Sequence, residues 1–221
     1  QSIDENTTVV WLCSPNNPTG SLISGSDLAA FLKQVPENIL VVLDEAYFEY
    51  ITEASYTNTV KLLEKFPNVI VLRTFSKAYG LAAFRIGYAI GHPDVIVNLN
   101  KVRSPFNNTT AGLALAEKAL DDDEFIKQCR TLNREQMERF ISYATENNLH
   151  LFDSEANFVL IEVPGNADTA SEKLLQQGFI VRSGEALGTP GYVRVTIGTE
   201  DQNTGFFAAF DSLLTDARLS Q

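Results

Sequence analysis

Three apolar runs in this chain each give way to polar residues that could do chemistry. The run 39–43 ends in Asp44 and Glu45. The run 69–72 leads through Arg73-Thr74-Phe75 to Ser76 and Lys77, with Arg85 further on, and the run 9–13 leads into Ser14-Pro15-Asn16-Asn17-Pro18-Thr19-Gly20. An amine held near a carbonyl, its proton affinity lowered by its surroundings, can form a Schiff base, and the position of Lys77 suggests that nucleophilic role. A hydroxyl and a guanidinium hold a phosphate dianion in complementary ways, one by a hydrogen bond and one by a bidentate charged pair. Ser76 and Arg85 therefore point to a phosphate bound beside Lys77.

Asp44 stands where a buried strand ends, the place where open α/β sheets bind ligands. Three readings of it stay open on residues alone. It could hold magnesium in a P-loop nucleotidase, pair with the ring nitrogen of a pyridoxal cofactor, or be a solvated strand-end acid. A phosphate loop of the form G-x-x-x-x-G-K-[ST] is absent from the 221 residues, which weighs against the first. A lysine taken alone is most often a surface charge, and the 14–20 run taken alone is a turn by composition. Together, Asn17, Asp44 and Lys77 each follow a strand-like run, so they are expected at one edge of one sheet, as a site.

The elements that must position these groups follow an α/β rhythm. Strand-like runs at 8–13, 39–43, 69–72 and 86–90 are nearly continuously apolar, as expected of strands buried on both faces of a mostly parallel sheet, with a helix over 27–34. From about 109 to 148 the pattern becomes helical, with Phe125, Cys129, Leu132 and 136–140 spaced as one face. A strand over 157–163, a helix over 170–177 ended by Gly178, and a strand over 192–197 follow. Thr199 and Gln202 fit a capping box opening a last helix whose Phe206, Phe207, Phe210, Leu213 and Leu214 form a core stripe. The acidic run 121–124 suits a helix start, and a domain boundary is expected there.

Composition bounds the function. The chain is 44% hydrophobic and 20% charged, the range of globular proteins. A net charge of −11 argues against nucleic-acid and anionic-membrane partners. No run approaches the roughly 18 apolar residues of a membrane helix. Residues 1–8 do not resemble a secretory signal, and the absence of an initiator Met suggests that upstream sequence is missing. Cys13 and Cys129 form no CxxC pair, which suggests a reducing, cytoplasmic setting. His92 and His150 lack partners at metal-binding spacing, so no metal is expected.

Through Asn17-Pro18-Thr19-Gly20, Asp44-Glu45-Ala46-Tyr47 and Ser76-Lys77 with Arg85, in this order, the sequence resembles the fold-type I pyridoxal-phosphate aminotransferases. Within that family, Asp44-Glu45-Ala46-Tyr47-Phe48-Glu49-Tyr50, the run 74–88 and Arg194-Val195-Thr196-Ile197-Gly198-Thr199 look most like the histidinol-phosphate aminotransferases of histidine biosynthesis. The likeness runs along essentially the whole chain. It implies an α/β fold in which residues 1–120 are the C-terminal part of a large pyridoxal-phosphate domain and 121–221 a smaller α+β domain. It implies Lys77 as the Schiff-base lysine and proton shuttle, Asp44 on the pyridine nitrogen, and Asn17 and Tyr47 on the ring hydroxyl. Ser76 and Arg85 would hold the cofactor phosphate. Arg194, assisted by Arg182, would take the phosphate of histidinol phosphate and the carboxylate of glutamate. Asn157 also matches a family pattern, but a turn role suits it equally.

The resemblance further implies a cytoplasmic homodimer that uses 2-oxoglutarate as amino acceptor. One departure stands out: the family's longer N-terminal portion, with its Gly-rich turn and an aromatic ring against the pyridine, has no counterpart here. Poor or no activity is expected of this chain by itself. An aromatic aminotransferase and a phosphothreonine decarboxylase share the motifs and remain alternatives. A nucleotide-binding ATPase is a more distant one, since it leaves Ser76, Lys77 and Arg85 without a role.

Overall fold

The computed structural model describes residues 3–54, 56 and 58–219. By contacts the chain divides into two compact units, one of Gln1–Pro15 and Leu22–Lys127 and the other of Asn16–Ser21 and Gln128–Gln221.

In the first unit, strands β1 (Val9–Cys13), β2 (Leu40–Asp44), β3 (Val69–Thr74) and β4 (Gly87–Gly91) form one sheet in that order. The first three are parallel and β4 runs antiparallel to β3. The register pairs Cys13 with Asp44 and Asp44 with Leu72, which sets the C-terminal ends of β1, β2 and β3 side by side. Two further backbone bonds extend the alignment past the strand ends, Ser14 N to Asp44 O at 3.0 Å and Glu45 N to Leu72 O at 2.9 Å. Helix α1 (Gly25–Leu32) is capped by Ser24, whose hydroxyl accepts from Asp27 N. The helix lays Leu28 and Leu32 on a core of Val41, Leu43, Val69 and Val71. Fully burying each such side chain contributes roughly 1.5–3 kcal/mol.

Burial on both faces holds for β2 and β3 but not for β1, where Val9 is 40% and Trp11 66% exposed. Val10 and Leu12 pack on the core while the alternate residues do not, so this edge strand is covered on one face only. Helices α2 (Pro93–Val102) and α3 (Thr110–Ala119) follow; α2 has no buried residue, and Gly112 and Ala116 are the buried positions of α3.

Helix α4 (Asp123–Glu146) begins where the acidic run predicts, with Asp122 Oδ1 accepting from Phe125 N. Its buried face matches the expected one in part: Met137 and Phe140, within the expected 136–140, are buried, but the first turns differ. Phe125 and Leu132 are exposed, whereas Ile126, Met137, Phe140 and Ala144 are buried. Both sets fit a helical spacing, and burial follows the set that meets a partner.

The second unit builds an antiparallel sheet in the order β5 (Phe158–Glu162), β7 (Tyr192–Thr196), β6 (Arg182–Ser183). Helix α5 (Ala167–Gln176) is capped by Asn166 and followed by Gly178 at φ +90°. The capping box of helix α6 (Glu200–Leu219) is formed as expected: Thr199 N donates to Gln202 Oε1 at 2.9 Å and Gln202 N to Thr199 Oγ1 at 3.4 Å. Phe206, Phe210, Leu213 and Leu214 are buried against Met137, Phe140, Val159 and Val193. No described helix is long and apolar enough to cross a membrane.

Candidate functional site

In the first unit the chain leaves β2 through Asp44, whose Oδ1 accepts from Ala46 N at 3.2 Å and so turns the backbone out of the strand. Tyr47, only 5% exposed, precedes a 3-10 turn over Phe48–Tyr50 that is closed by Tyr50 N donating to Tyr47 O and Ile51 N to Phe48 O, and Phe48 N donates back to Glu45 O. Lys77 lies just beyond β3 in a loop closed by Leu81 N to Phe75 O and Gly80 N to Lys77 O, both at 2.9 Å. Its ammonium stands 5.2 Å from the centroid of the Tyr47 ring, within cation–π reach. The structure therefore brings together the lysine of one strand end and the tyrosine of the next.

Arg85 and Ser76 also meet. Arg85 Nη1 donates to Ser76 Oγ at 3.3 Å and to Ala82 O at 2.9 Å. Arg85 adopts φ +54°, a left-handed backbone that is uncommon for a side chain of this kind and costs on the order of 1 kcal/mol. That strain falls on a residue whose guanidinium stands beside a hydroxyl, the donor pair the sequence suggests for a phosphate.

A buried ionic network beside this segment was not anticipated. Glu45, 2% exposed, accepts from Thr59 Oγ1 at 2.6 Å, Tyr56 hydroxyl at 3.1 Å and Arg73 Nε at 3.0 Å, with Arg73 Nη2 at 2.9 Å. The Arg73 guanidinium lies 3.4 Å over the centroid of the Phe48 ring. Burial alone would lower the Arg73 pKa, but the Glu45 charge and hydrogen bond outweigh it and hold the guanidinium above its usual range. Burial, then the Glu45 charge, pushes the Tyr56 hydroxyl up. The sequence did carry a signal, a single arginine in the strand Val69–Thr74 that is otherwise mostly apolar, since a charge so placed needs a partner.

Asn17, Arg182 and Arg194 belong to the second unit. Arg194 on β7 donates from Nη1 to Asn17 Oδ1 at 2.6 Å, and its guanidinium lies 5.0 Å from the centroid of Phe158. Its Nε is buried without a hydrogen-bond partner among the described residues. Arg182 is directly opposite Arg194 in the β6–β7 register. Like charges opposite one another repel, and an anion between them relieves the repulsion. The loop bearing Asn17 is tied by Asn16 N to Ser21 O and Glu155 N to Gly20 O. The Asn157 carbonyl accepts from Ile197 N, a backbone role.

The chemistry of these groups fits pyridoxal phosphate: an amine for its carbonyl, a hydroxyl and a guanidinium for its phosphate, and a carboxylate to accept from its protonated ring nitrogen.

Residues 1–210 match the family of class I and II aminotransferases. Histidinol-phosphate aminotransferase of Lysinibacillus sphaericus is 48% identical over 97% of this chain and 59% of its own length. That of Brevibacillus brevis is 49% identical over 98% of this chain and likewise 59% of its length, so the chain spans about three fifths of these relatives. The solved histidinol-phosphate aminotransferase of Sinorhizobium meliloti, in complex with pyridoxal-5'-phosphate, superposes with a TM-score of 0.85 at 31% identity. The match covers 96% of this chain and 58% of that one. With the α/β fold, the strand-end residues and this family match in agreement, the chain belongs to the class I and II aminotransferases.

Proposed function

We propose that this chain serves the pyridoxal-phosphate-dependent transfer of an amino group between L-histidinol phosphate and 2-oxoglutarate. The observation that carries the reading is the grouping of Lys77 over the Tyr47 ring with Ser76 bonded to Arg85; Tyr47, Ser76 and Lys77 lie just beyond the ends of β2 and β3, and Arg85 just before β4. The relatives' names and the cofactor of the Sinorhizobium meliloti enzyme support it.

Pyridoxal phosphate, when bound, supplies a ring that withdraws electrons from the substrate carbon. Lys77 provides the amine for covalent attachment and moves the proton at its Nζ. Asp44 holds a proton on the ring nitrogen, and Asn17 and Tyr47 donate to the ring hydroxyl oxygen. Ser76 and Arg85 hold the phosphate. Arg194 and Arg182 orient the anionic end of the substrate, the phosphate in one half-reaction and the carboxylate of glutamate in the other; the unsatisfied Arg194 Nε and the facing Arg182 support this. Residues 1–120 act as the cofactor-binding part and 121–221 as the smaller domain. We further take the parent enzyme to be a cytoplasmic homodimer.

The test is the absorbance of the purified chain with pyridoxal phosphate before and after borohydride reduction, with mass mapping of the labelled peptide. A reduced adduct on Lys77 is expected. Its absence both here and in a polypeptide of the relatives' full length sinks the reading. Turnover of that longer polypeptide on histidinol phosphate, phenylalanine and phosphothreonine then separates the three substrates.

A further inference from the structure

We infer that Arg73 is a positioning residue, whose guanidinium ties the segment carrying Asp44 and Tyr47 to the strand that leads to Lys77. The inference rests on the pyridoxal-phosphate reading above and adds a residue that does not itself touch the cofactor.

The argument is one of spacing. Arg73 holds two residues of the segment after β2, Glu45 with the edge of its guanidinium at 2.9–3.0 Å and Phe48 with its face at 3.4 Å. Glu45 and Phe48 are also joined to each other through Phe48 N and Glu45 O. Each anchored residue directly follows one of the two proposed to meet the cofactor: Asp44 precedes Glu45 and Tyr47 precedes Phe48. Fixing 45 and 48 therefore fixes the backbone that presents 44 and 47. The other end of the tie is β3 itself, which leads within one short turn to Ser76 and Lys77.

Only an arginine does both jobs. Its planar fork pairs with a carboxylate in the plane while its face stacks on a ring, whereas a lysine ammonium offers a point charge. Thr59 and Tyr56 satisfy the second carboxylate oxygen of Glu45, so the anchor is fully paired on that side despite being buried. Reactive groups held by such supporting contacts lose catalytic competence on displacements of about 1 Å.

The experiment compares wild type, Arg73→Met, Arg73→Lys and Phe48→Leu, each titrated with pyridoxal phosphate. Three quantities are read: the saturating concentration, the borohydride-trapped mass on Lys77, and the pH midpoint of the bound cofactor's absorbance. Thermal unfolding without cofactor is followed in parallel. Loss of a well-aimed Tyr47 donor disfavours the deprotonated chromophore, so the midpoint rises by about one pH unit in Arg73→Met. Saturation weakens by roughly 10- to 100-fold. Arg73→Lys is expected to recover unfolding temperature without restoring the midpoint, and Phe48→Leu to move the midpoint in the same direction by less. A purely structural role would change the unfolding temperature and leave the midpoint of the bound fraction in place.

If Arg73→Met does not fold, Arg73→Lys and Phe48→Leu carry the comparison, and wild-type midpoints in both overturn the inference. The comparison is made in this chain or, where only the longer one traps the adduct, in a polypeptide of the relatives' full length; no adduct on Lys77 in either wild-type polypeptide overturns the inference together with the proposed function. A wild-type adduct on Lys77 with unmoved variants overturns the inference alone.

Discussion

Arg194 on β7 donates to the side chain of Asn17, a residue 177 positions earlier in the chain, at 2.6 Å. An asparagine amide carries no charge, so the bond orients the guanidinium without neutralising it, and the buried Nε keeps an unmet donor. That unmet donor is what the anion-binding role proposed for Arg194 requires. Asn17→Asp keeps the shape and adds a carboxylate that competes for the guanidinium. It is expected to raise KM for the phosphorylated substrate by roughly tenfold or more in the parent enzyme, with a smaller change in kcat. Arg194→Lys removes the fork and should do the same. Steady-state kinetics check both, and an unchanged KM in both variants would remove Arg194 from the substrate site.

The loop that carries Asn17 turns at Gly20, where φ is +78° and an added Cβ would come within 2.9 Å of Ser154 Cα, with the Ser154 side chain nearer still. Gly80 has a similar φ of +70° but open space around its missing side chain. Gly80→Ala therefore carries the backbone cost alone, about 1–2 kcal/mol. Gly20→Ala adds a steric clash with little room to relax and should cost more. Denaturant unfolding of the two variants measures the difference; equal losses would show that the 16–21 loop adjusts freely.

The ends of β1, β2 and β3 were legible in the sequence because each strand is an apolar run that stops at polar residues, and the α6 cap was legible because Thr199 and Gln202 interact locally. Features that depend on distant partners were not. The Glu45–Arg73 pair requires the β2–β3 register, and the Asn17–Arg194 bond requires packing of residues far apart in the chain. In the first turns of helix α4, Phe125 and Leu132 on one side and Ile126 on the other both join with acceptable period to the buried Met137 and Phe140, and periodicity alone does not choose between them. The exposure of Trp11 was likewise hidden, since a continuous apolar run reads the same in an edge strand as in a central one.

Tyr79 adds an alkaline pH dependence to the folding stability. Burial first, then the charges of Glu49 and Tyr88, pushes its hydroxyl from 10.0 up to about 12, with Arg73 opposing and Asp123 adding to the rise. A folded-state value above the unfolded one means that the unfolded chain releases its proton first. The stability present below pH 10 is then lost as pH rises toward about 12. Tyr79→Phe keeps the ring beside Phe75, 4.9 Å away between centroids, and removes the proton. Its unfolding free energy should fall less steeply over that window. The slope will not vanish, because Tyr56 shifts in the same direction. Urea titrations at several alkaline pH values provide the comparison, and parallel slopes for variant and wild type would exclude Tyr79 as a contributor.

The proposed role of Asp44 separates binding from rate. Its carboxylate stands at the end of β2 with Oδ1 already engaged by Ala46 N, so replacing it by asparagine preserves the acceptor that turns the backbone. The charge proposed to keep a proton on the ring nitrogen is lost. Because that charge matters most when electrons flow into the ring, Asp44→Asn is expected to reduce kcat of the parent enzyme by roughly 100-fold or more. The amount of cofactor trapped on Lys77 should change little, since the residues proposed to hold it, Ser76, Arg85 and Lys77, are unchanged. Single-turnover kinetics with borohydride trapping in parallel distinguishes the alternatives. Equal losses of trapping and rate would make Asp44 a binding residue, and an unchanged rate would return it to the status of a strand-end acid.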